Sequence, residues 1–360
     1  MAGPIEPGMQ PYNMPGSGQV PRILGRAIRR NQGVLGLIIL AALSSLPIGF
    51  HLNGLRISLY SPYFWQWANF ANIFRQTSIT GILAVGMTFV ILTGGIELSV
   101  GSGLAFLGCV AALLAKRDSL PLPVLIGLTI GMGAVIGSIN GALVTRGRFQ
   151  PFIATLAAMV TLRGLAFRIT DSNIVTGPNF AAKFGIFSGN VSVPIPAPLG
   201  RLVGADQFWN PVPVFAIIFL IAVIAGQVVL SRSRFGRQVM SVGGNEEATR
   251  LSGVNVVRTK LLVYTMNGVL VGLAALMFTA RTSTGDPAGG MGYELDAIAA
   301  AVVGGTSLLG GRGSIFGTLI GALFIGVLNN SLQLNSIDRY TALALEGPII
   351  LLAVGLQRRR

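Results

Sequence analysis

Side chains that commonly carry out enzymatic chemistry are scarce in this chain. It has one histidine, His51, and one cysteine, Cys109, so neither a disulfide nor a cluster of metal ligands is available within it. The phosphate-binding pattern G-x-x-x-x-G-K-[ST] is absent, because none of the three lysines follows a glycine. We therefore expect no catalytic residue, no metal and no nucleotide bound by this chain.

Hydrogen-bonding side chains and glycines inside apolar segments are more informative. Two stretches, GGIELSVGSGLAF from Gly94 and GGTSLLGGRGSIF from Gly304, share glycine, leucine and phenylalanine at corresponding positions. Gly-rich interruptions at corresponding places in a membrane protein point to a solute pathway. Close helix packing and hydrogen bonds between helices are the alternative explanation. We predict that both stretches break helices near such a pathway, where amides and hydroxyls bind a neutral solute weakly. The residues assigned to the pathway are Gly94, Gly95, Glu97, Ser99, Asn140, Asn267, Gly304, Gly305, Thr306 and Asn329.

Two charged residues fall inside apolar segments. Arg163 and Glu346 each lie about six residues from one end of their predicted helices, or roughly 9 Å at 1.5 Å per residue. Charges at membrane depth are costly and usually face the interior of the helix bundle or water. We predict an ion pair between these two residues, either structural or functional.

The composition places these residues in a membrane. Hydrophobic residues make up 52% of the 360, charged residues make up 11%, and the mean hydropathy is +0.69. A hydrocarbon core of about 30 Å needs roughly 20 apolar residues per helix, and runs of that kind recur along the chain. The formal charge of +14 does not indicate nucleic-acid binding, because no soluble domain is left to carry a basic face. The sequence predicts an all-α integral membrane protein.

Ten transmembrane helices are predicted, with both termini cytoplasmic. In this orientation the cytoplasmic segments hold 16 of the 26 Lys and Arg residues and the opposite side holds eight, which agrees with the positive-inside rule. We expect residues 1–33 to be a disordered basic cytoplasmic tail rather than a signal peptide, followed by one transmembrane domain at 34–357 and a basic end at 358–360. The spans are placed near residues 34–50, 71–93, 95–115, 121–144, 151–169, 211–230, 258–281, 294–310, 314–332 and 340–357.

A short charged segment, GGNEEATRLSG at residues 243–253, interrupts the apolar pattern on the cytoplasmic side. Asn245 is a good N-cap, two glutamates follow it at the positive end of the helix dipole, and Gly253 stands where a helix commonly ends. A helix of about two turns is marginal by itself and needs a partner surface. We predict a helix that docks in a cleft of another protein, with a capped surface helix in the loop 231–257 as the alternative. The predicted contact residues are Arg237, Gly244, Asn245, Glu246, Glu247, Ala248, Arg250, Leu251 and Gly253.

Three longer stretches carry a family resemblance. They read ILTGGIELSVGS, FGRQVMSVGGNEEATRLSGVNV and GYELDAIAAAVVGGTSLLGGRGSIFGTLIGAL. They are similar to the ribose-type monosaccharide permeases of bacterial ABC importers, within the superfamily of branched-chain amino acid and sugar permeases. Glu247, Ala248 and Gly253 also fit the spacing E-A-A-x-x-x-G of the cytoplasmic coupling loop in such permeases, with Thr249 in place of the second alanine. The resemblance runs from about Asn69 to the C-terminal region.

The resemblance implies a function and a set of partners. The chain would be the membrane-spanning subunit of an ABC importer that moves a ribose-like monosaccharide across the bacterial inner membrane by alternating access. Its partners would be a second permease subunit in a homodimer or pseudo-dimer, a periplasmic sugar-binding protein, membrane lipids, and cytoplasmic ATPases that hydrolyse ATP with Mg²⁺. The chain itself would be a transport subunit rather than an enzyme.

Three other classes remain open at this stage. The nearest is an ABC permease for branched-chain amino acids or another small solute. A stand-alone, ion-coupled secondary transporter is the second, although the sequence shows no evident midplane chain of acidic or histidine residues for a proton relay. A membrane enzyme is the third, and the scarcity of nucleophiles, bases and metal ligands speaks against it.

Overall fold

The computed structural model describes residues 32–45, 49–52, 55–58, 62–116, 120–176, 192–193 and 212–337, and the pairs 341–342, 344–345 and 347–348. Two short antiparallel strand pairs occur in this part of the chain, β1 (Gly49–Leu52) with β2 (Leu55–Ser58) and β3 (Ser192–Val193) with β4 (Val212–Pro213). The helices are α1 (Gln32–Ser45), α2 (Trp67–Leu92), α3 (Val100–Lys116), α4 (Leu122–Thr145), α5 (Pro151–Ile169), α6 (Val214–Arg232), α7 (Arg234–Gly244), α8 (Glu246–Leu251), α9 (Val256–Thr282), α10 (Tyr293–Val303) and α11 (Ile315–Leu334).

Six of these helices, α2, α4, α5, α6, α9 and α11, are long and apolar enough to cross a membrane. They confirm a helical membrane protein with several spans. Helix α3 is apolar but has 17 residues, whereas α1 has 14 and α10 has 11. The predicted tail at 1–33, the tenth span at 340–357 and the basic end at 358–360 lie wholly or largely outside the described residues.

The first predicted span is too long, and a short strand pair follows it at residues 49–58. The first span was expected to run to residue 50, but α1 ends at Ser45 and β1 begins at Gly49. The sequence between the two strands is Asn-Gly, which is the strongest short-range signal for a two-residue hairpin loop. Hydropathy alone does not register that signal, so the predicted span was too long.

Two further span boundaries are wrong because the chain leaves the helix at a glycine. Helix α3 begins at Val100 rather than at residue 95. The eighth span was expected over 294–310, but α10 ends at Val303. The Gly305 amide donates to the Val302 carbonyl and the Thr306 amide to the Ala301 carbonyl, with Gly305 at φ +91°. This is a Schellman-type helix end, whose left-handed residue is usually glycine.

Helices α4 and α9 pack backbone against backbone. A Cβ atom on Gly137 would overlap the Tyr264 carbonyl oxygen, and one on Gly133 would overlap the Gly268 carbonyl oxygen. Small residues let helices approach closely in lipid, where no hydrophobic effect drives them together. Close packing therefore accounts for the glycines that recur every four residues in α4.

Hydrogen bonds between buried side chains join the helices of the core. The hydroxyls of Thr88 in α2 and Thr318 in α11 lie 2.7 Å apart. In the same two helices the Asn330 Nδ2 donates to the Asn69 Oδ1 at 2.8 Å. Polar groups at membrane depth need such partners, because lipid offers none. Many of the polar side chains in the spans are thus structural, as the alternative explanation of the sequence allowed.

Candidate functional site

Helix α8 has the predicted caps and polarity. The Asn245 side chain accepts a hydrogen bond from the Ala248 amide at 2.9 Å, which is the N-cap contact expected from the sequence. After the C-cap residue Ser252, Gly253 has φ +81°, a conformation that glycine adopts without a steric penalty. Thr249 is buried on the inner face, whereas the Leu251 side chain is 81% exposed. An exposed leucine at the end of a polar helix is available to a partner protein.

Ion pairs fix α8 on the rest of the chain. The Lys260 Nζ of α9 lies 2.6 Å from the Glu246 Oε2, and the Lys260 side chain is largely buried. Arg250 bridges back to Glu247 at 3.2 Å and to Glu246 at 3.5 Å. Glu246 is therefore occupied in holding α8 against α9. Glu247 and Arg250 have side chains more than half exposed and can still exchange partners.

Helix α7 precedes α8 and was not predicted. The Ser233 side chain accepts from the Gly236 amide and caps the helix, and the buried residues Gly236, Val239 and Val242 line one face. A serine N-cap followed by apolar residues at helical spacing could have revealed it. The predicted contact residue Arg237 lies on the exposed face of α7 rather than in α8. The segment predicted to be cytoplasmic is thus two consecutive capped helices.

The end of α7 contacts the end of α2 and the loop 304–314 through backbone atoms alone. A Cβ atom on Gly243 would overlap the Leu92 carbonyl oxygen at the end of α2 and would lie 2.5 Å from the Gly311 amide nitrogen. That Gly311 amide donates to the same Leu92 carbonyl at 3.0 Å. Gly310 in turn packs against Gly243. The segment just before α8 is therefore in direct contact with the C-terminal end of α2 and with the loop 304–314.

The break predicted at Gly94 and Gly95 is present, and it carries a buried polar cluster. Residues 95–99 lie outside any helix, between α2 and α3. The Glu97 Oε1 accepts from the Ser99 amide at 2.9 Å and from the Ser99 hydroxyl at 2.6 Å, while the Glu97 Oε2 accepts from the Asn140 Nδ2 of α4 at 2.9 Å. All three residues are at most 4% exposed. The cluster links the start of α3 to α4.

A cavity beside the Glu97 cluster has room for about one water molecule. Its volume is about 10 Å³, and Glu97, Ser99, Asn140 and Asn267 contribute its polar lining. The Asn267 Oδ1 has no hydrogen-bond partner among the described residues. Four predicted pathway residues are thus brought together, but the space between them is closed to any organic solute in this conformation.

The remaining predicted pathway residues lie in two other places. Gly304, Gly305 and Thr306 form the second break, where α10 ends, and the Thr306 Oγ1 is buried without a hydrogen-bond partner in the described part of the chain. Asn329 lies on α11, 14 residues beyond Ile315, and lines a wider cavity. The predicted pathway residues therefore lie in three separate places rather than in one site.

Arg163 binds backbone oxygens. Its Nη1 donates to the carbonyls of Pro287 at 2.7 Å and Gly289 at 2.8 Å, in the loop between α9 and α10. The predicted partner Glu346 lies outside the described residues, so the ion pair between them stays a prediction. Arg163 holds the loop 283–292, and Gly285 of that loop also exchanges both backbone hydrogen bonds with Val175.

Comparison with known proteins gives the family. Residues 69–354 match the family described as "Branched-chain amino acid transport system / permease component". The chain belongs to this family. The permease is 44% identical over 306 residues to the Ribose import permease protein RbsC of Escherichia coli K12, a match that covers 84% of this chain and 90% of that protein. No solved structure gives a significant match.

Two other relatives extend the comparison. The permease is 42% identical over 314 residues to the Ribose import permease protein RbsC of Bacillus subtilis 168, which covers 87% of this chain and 92% of the relative. It is 37% identical over 333 residues to the Xylose transport system permease protein XylH of Escherichia coli K12. This match covers 79% of this chain and 84% of that protein. The family confirms a multi-pass protein of the bacterial inner membrane that is a transport component rather than an enzyme.

A matched pair of alanine substitutions tests the backbone contact at the end of α7. Gly243→Ala places a methyl group against the Leu92 carbonyl, whereas Gly244→Ala places one where no atom lies within 4 Å. We expect Gly243→Ala to lower the free energy of unfolding by about 1–3 kcal/mol, as overpacking does, and Gly244→Ala to leave it nearly unchanged. Thermal unfolding of both purified variants in detergent measures this. Equal stability of the two variants would contradict the contact.

A double-mutant cycle tests the cluster around Glu97. Glu97→Gln presents an amide donor where a carboxylate accepts three hydrogen bonds, and Asn140→Ala removes one of those donors. We expect the two substitutions to be non-additive in unfolding free energy by about 1–2 kcal/mol. As a control, Asn173→Ala alters an exposed asparagine elsewhere and should be additive with Glu97→Gln. Additivity in both cycles would show that the Glu97–Asn140 bond does not form.

Proposed function

We propose that this permease is the membrane-spanning subunit of an ATP-binding-cassette importer that moves a ribose-like monosaccharide into the cytoplasm by alternating access. The relatives named for ribose and xylose support the substrate class, and they cover most of the chain. The sequence has no phosphate-binding loop of its own. Energy for uptake against a gradient therefore has to arrive from an ATPase by contact.

The observation that carries the proposal is the position of α8. It projects an exposed Leu251 with Glu247 and Arg250, is held by the Glu246–Lys260 ion pair, and follows directly on the Gly243 contact with the end of α2. Through this contact, α8 is joined to the end of α2, next to the break at Gly94, and to Gly310 and Gly311 in the loop that follows the break at Gly305. This is the arrangement that an ATPase docked on α8 needs in order to rearrange the pathway.

The proposal includes a topology and an assembly. We place ten spans with both termini in the cytoplasm, α8 on the cytoplasmic side, and two such subunits side by side in a homodimer. One kind of partner is a cytoplasmic ATPase, which docks on α8 and itself binds ATP and Mg²⁺. The other is a periplasmic sugar-binding protein, which docks on the opposite face. The excess of Lys and Arg in the segments assigned to the cytoplasm supports this orientation.

Reconstitution with and without the ATPase tests the proposed function. Vesicles containing the permease, its ATPase and its binding protein should accumulate D-ribose or D-xylose only when ATP is supplied on the side of α8. Vesicles with the permease alone and an imposed proton or sodium gradient should accumulate neither sugar. Gradient-driven accumulation by the permease alone would favour a secondary transporter. ATP-driven uptake of L-leucine but not of sugars would favour an amino-acid permease.

Glu247 and Gly253 offer a direct test of α8 in the same vesicles. Replacing both by bulky residues should abolish ATP-driven uptake while the permease remains in the membrane, because α8 loses an exposed polar contact and its C-terminal glycine. Exchange of the exposed Arg258, which lies outside α8, for lysine is the matched control and should leave uptake intact. ATP-driven uptake that persists in the double variant would show that α8 does not transmit the action of the ATPase.

A further inference from the structure

A polar cavity among the spans lies far from α8. It has a volume of about 480 Å³, within the usual range for small-molecule sites, and lies between α2, α10 and α11. The α2 residues that line it, Gln76 to Thr80, precede Leu92 by 12 to 16 residues, or about 18–24 Å along the helix. Because Leu92 contacts the end of α7, the cavity belongs to the half of the bundle opposite α8.

Polar side chains enter this cavity from three helices at helical spacing. Gln76 and Thr80 are four residues apart on α2, and Asn329 and Gln333 are four apart on α11. Asp296 of α10 completes the set. Residues four apart share one face of a helix, so two separate helices each turn a polar stripe toward the same space. Helix packing alone does not require this convergence.

Two polar atoms at the cavity lack partners. The Gln76 Oε1 and the Thr77 Oγ1 are buried and have no hydrogen-bond partner among the described residues. Thr77 is 1% exposed and its hydroxyl lies against Gly326 of α11, which also lines the cavity. Buried polar atoms are normally satisfied, and each orphan at membrane depth is costly. Gln76 and Thr77 both line the cavity.

The chemistry of the lining selects the class of that molecule. Amides and hydroxyls both donate and accept, as do the hydroxyl groups of a sugar. The lining residues in the described part include no Lys or Arg and one carboxylate, Asp296, so this described lining offers no cationic partner to an anion or to the carboxylate of an amino acid. We infer that this cavity is a binding site for a neutral polyol, in which Gln76, Thr80, Asn329 and Gln333 bind the hydroxyls of a monosaccharide.

This inference rests on the proposed function and adds to it a binding site separate from the closed cavity at Glu97. The wide cavity is open while the cavity at Glu97 holds about one water molecule. In this conformation there is space for a solute at the end opposite α8 and none at the first helix break. A sugar entering from that end would occupy the polyol site first.

Uptake by conservative variants tests the polyol site in the full complex with its ATPase and binding protein. Gln76→Leu, Gln333→Leu and the isosteric Thr80→Val remove hydrogen-bonding groups, and Gln150→Leu removes an exposed glutamine outside the cavity. We expect D-ribose uptake per ATP hydrolysed to fall roughly fivefold or more in the cavity variants, and the D-ribose to D-xylose ratio to change, with the control at the wild-type value. A merely structural role would not alter the sugar ratio. Wild-type uptake and ratio in all three cavity variants would overturn the inference.

A labelling experiment separates failure of this inference from failure of the proposed function. Cys109, the sole native cysteine, is buried, so Gln333→Cys introduces an accessible thiol at the cavity. D-ribose in solution should slow the reaction of that thiol with a maleimide in the purified permease, and L-leucine should not. Asn173→Cys, exposed and outside the cavity, should react at the same rate with or without sugar. If D-ribose protects the Gln333→Cys thiol but ATP does not drive uptake, the polyol site is supported and the proposed importer function is rejected. If Gln333→Cys is labelled at the same rate with and without D-ribose, the polyol site is rejected.

Discussion

The contact of Gly243 with the Leu92 carbonyl and Gly311 is the constraint on which the rest of this permease depends. No side chain intervenes, because a methyl group at residue 243 would overlap the end of α2. Close-packed backbones have little freedom to slide without separating, and packed interiors transmit strain. Helices α7 and α8, the C-terminal end of α2 and the loop 304–314 therefore form one mechanical unit. The helix proposed to bind the ATPase lies at one end, and the end of α2 and the loop 304–314 lie at the other.

The helix breaks make that unit useful for transport. Non-helical backbone at membrane depth is tolerated where it is buried in protein or lines a cavity, and both conditions hold at residues 95–99. The Glu97 carboxylate satisfies the Ser99 amide at the start of α3 and ties it to Asn140 of α4. Movement of the α2 end would strain these bonds first. The closed cavity at Glu97 lies between α3, α4 and α9, whereas the open polyol site lies between α2, α10 and α11.

The sequence predicted much of the fold, and its errors have physical causes. Hydropathy located the spans, and α5 matches its predicted bounds, because an apolar run of that length has few alternatives in lipid. The caps of α8 were predictable from Asn245 and Gly253, since capping is local chemistry. A break in the stretch from Gly304 was predicted, but the eighth span was drawn to residue 310, because hydropathy does not register the positive φ of Gly305 that ends α10. The contact at Gly243 and the cavity at Gln76 could not be predicted, because both join residues distant in the sequence.

Spin-label distances through the ATP cycle test the central claim most directly. In a Cys109→Ala background, labels at the exposed positions Ser252, Leu309 and Met291 report on α8, the loop 304–314 and the opposite end of the bundle. If the unit is rigid, the Ser252 to Leu309 distance stays the same when ATP binds to the assembled complex, whereas the Leu309 to Met291 distance changes. A change between Ser252 and Leu309 with a constant distance between Leu309 and Met291 would contradict the account.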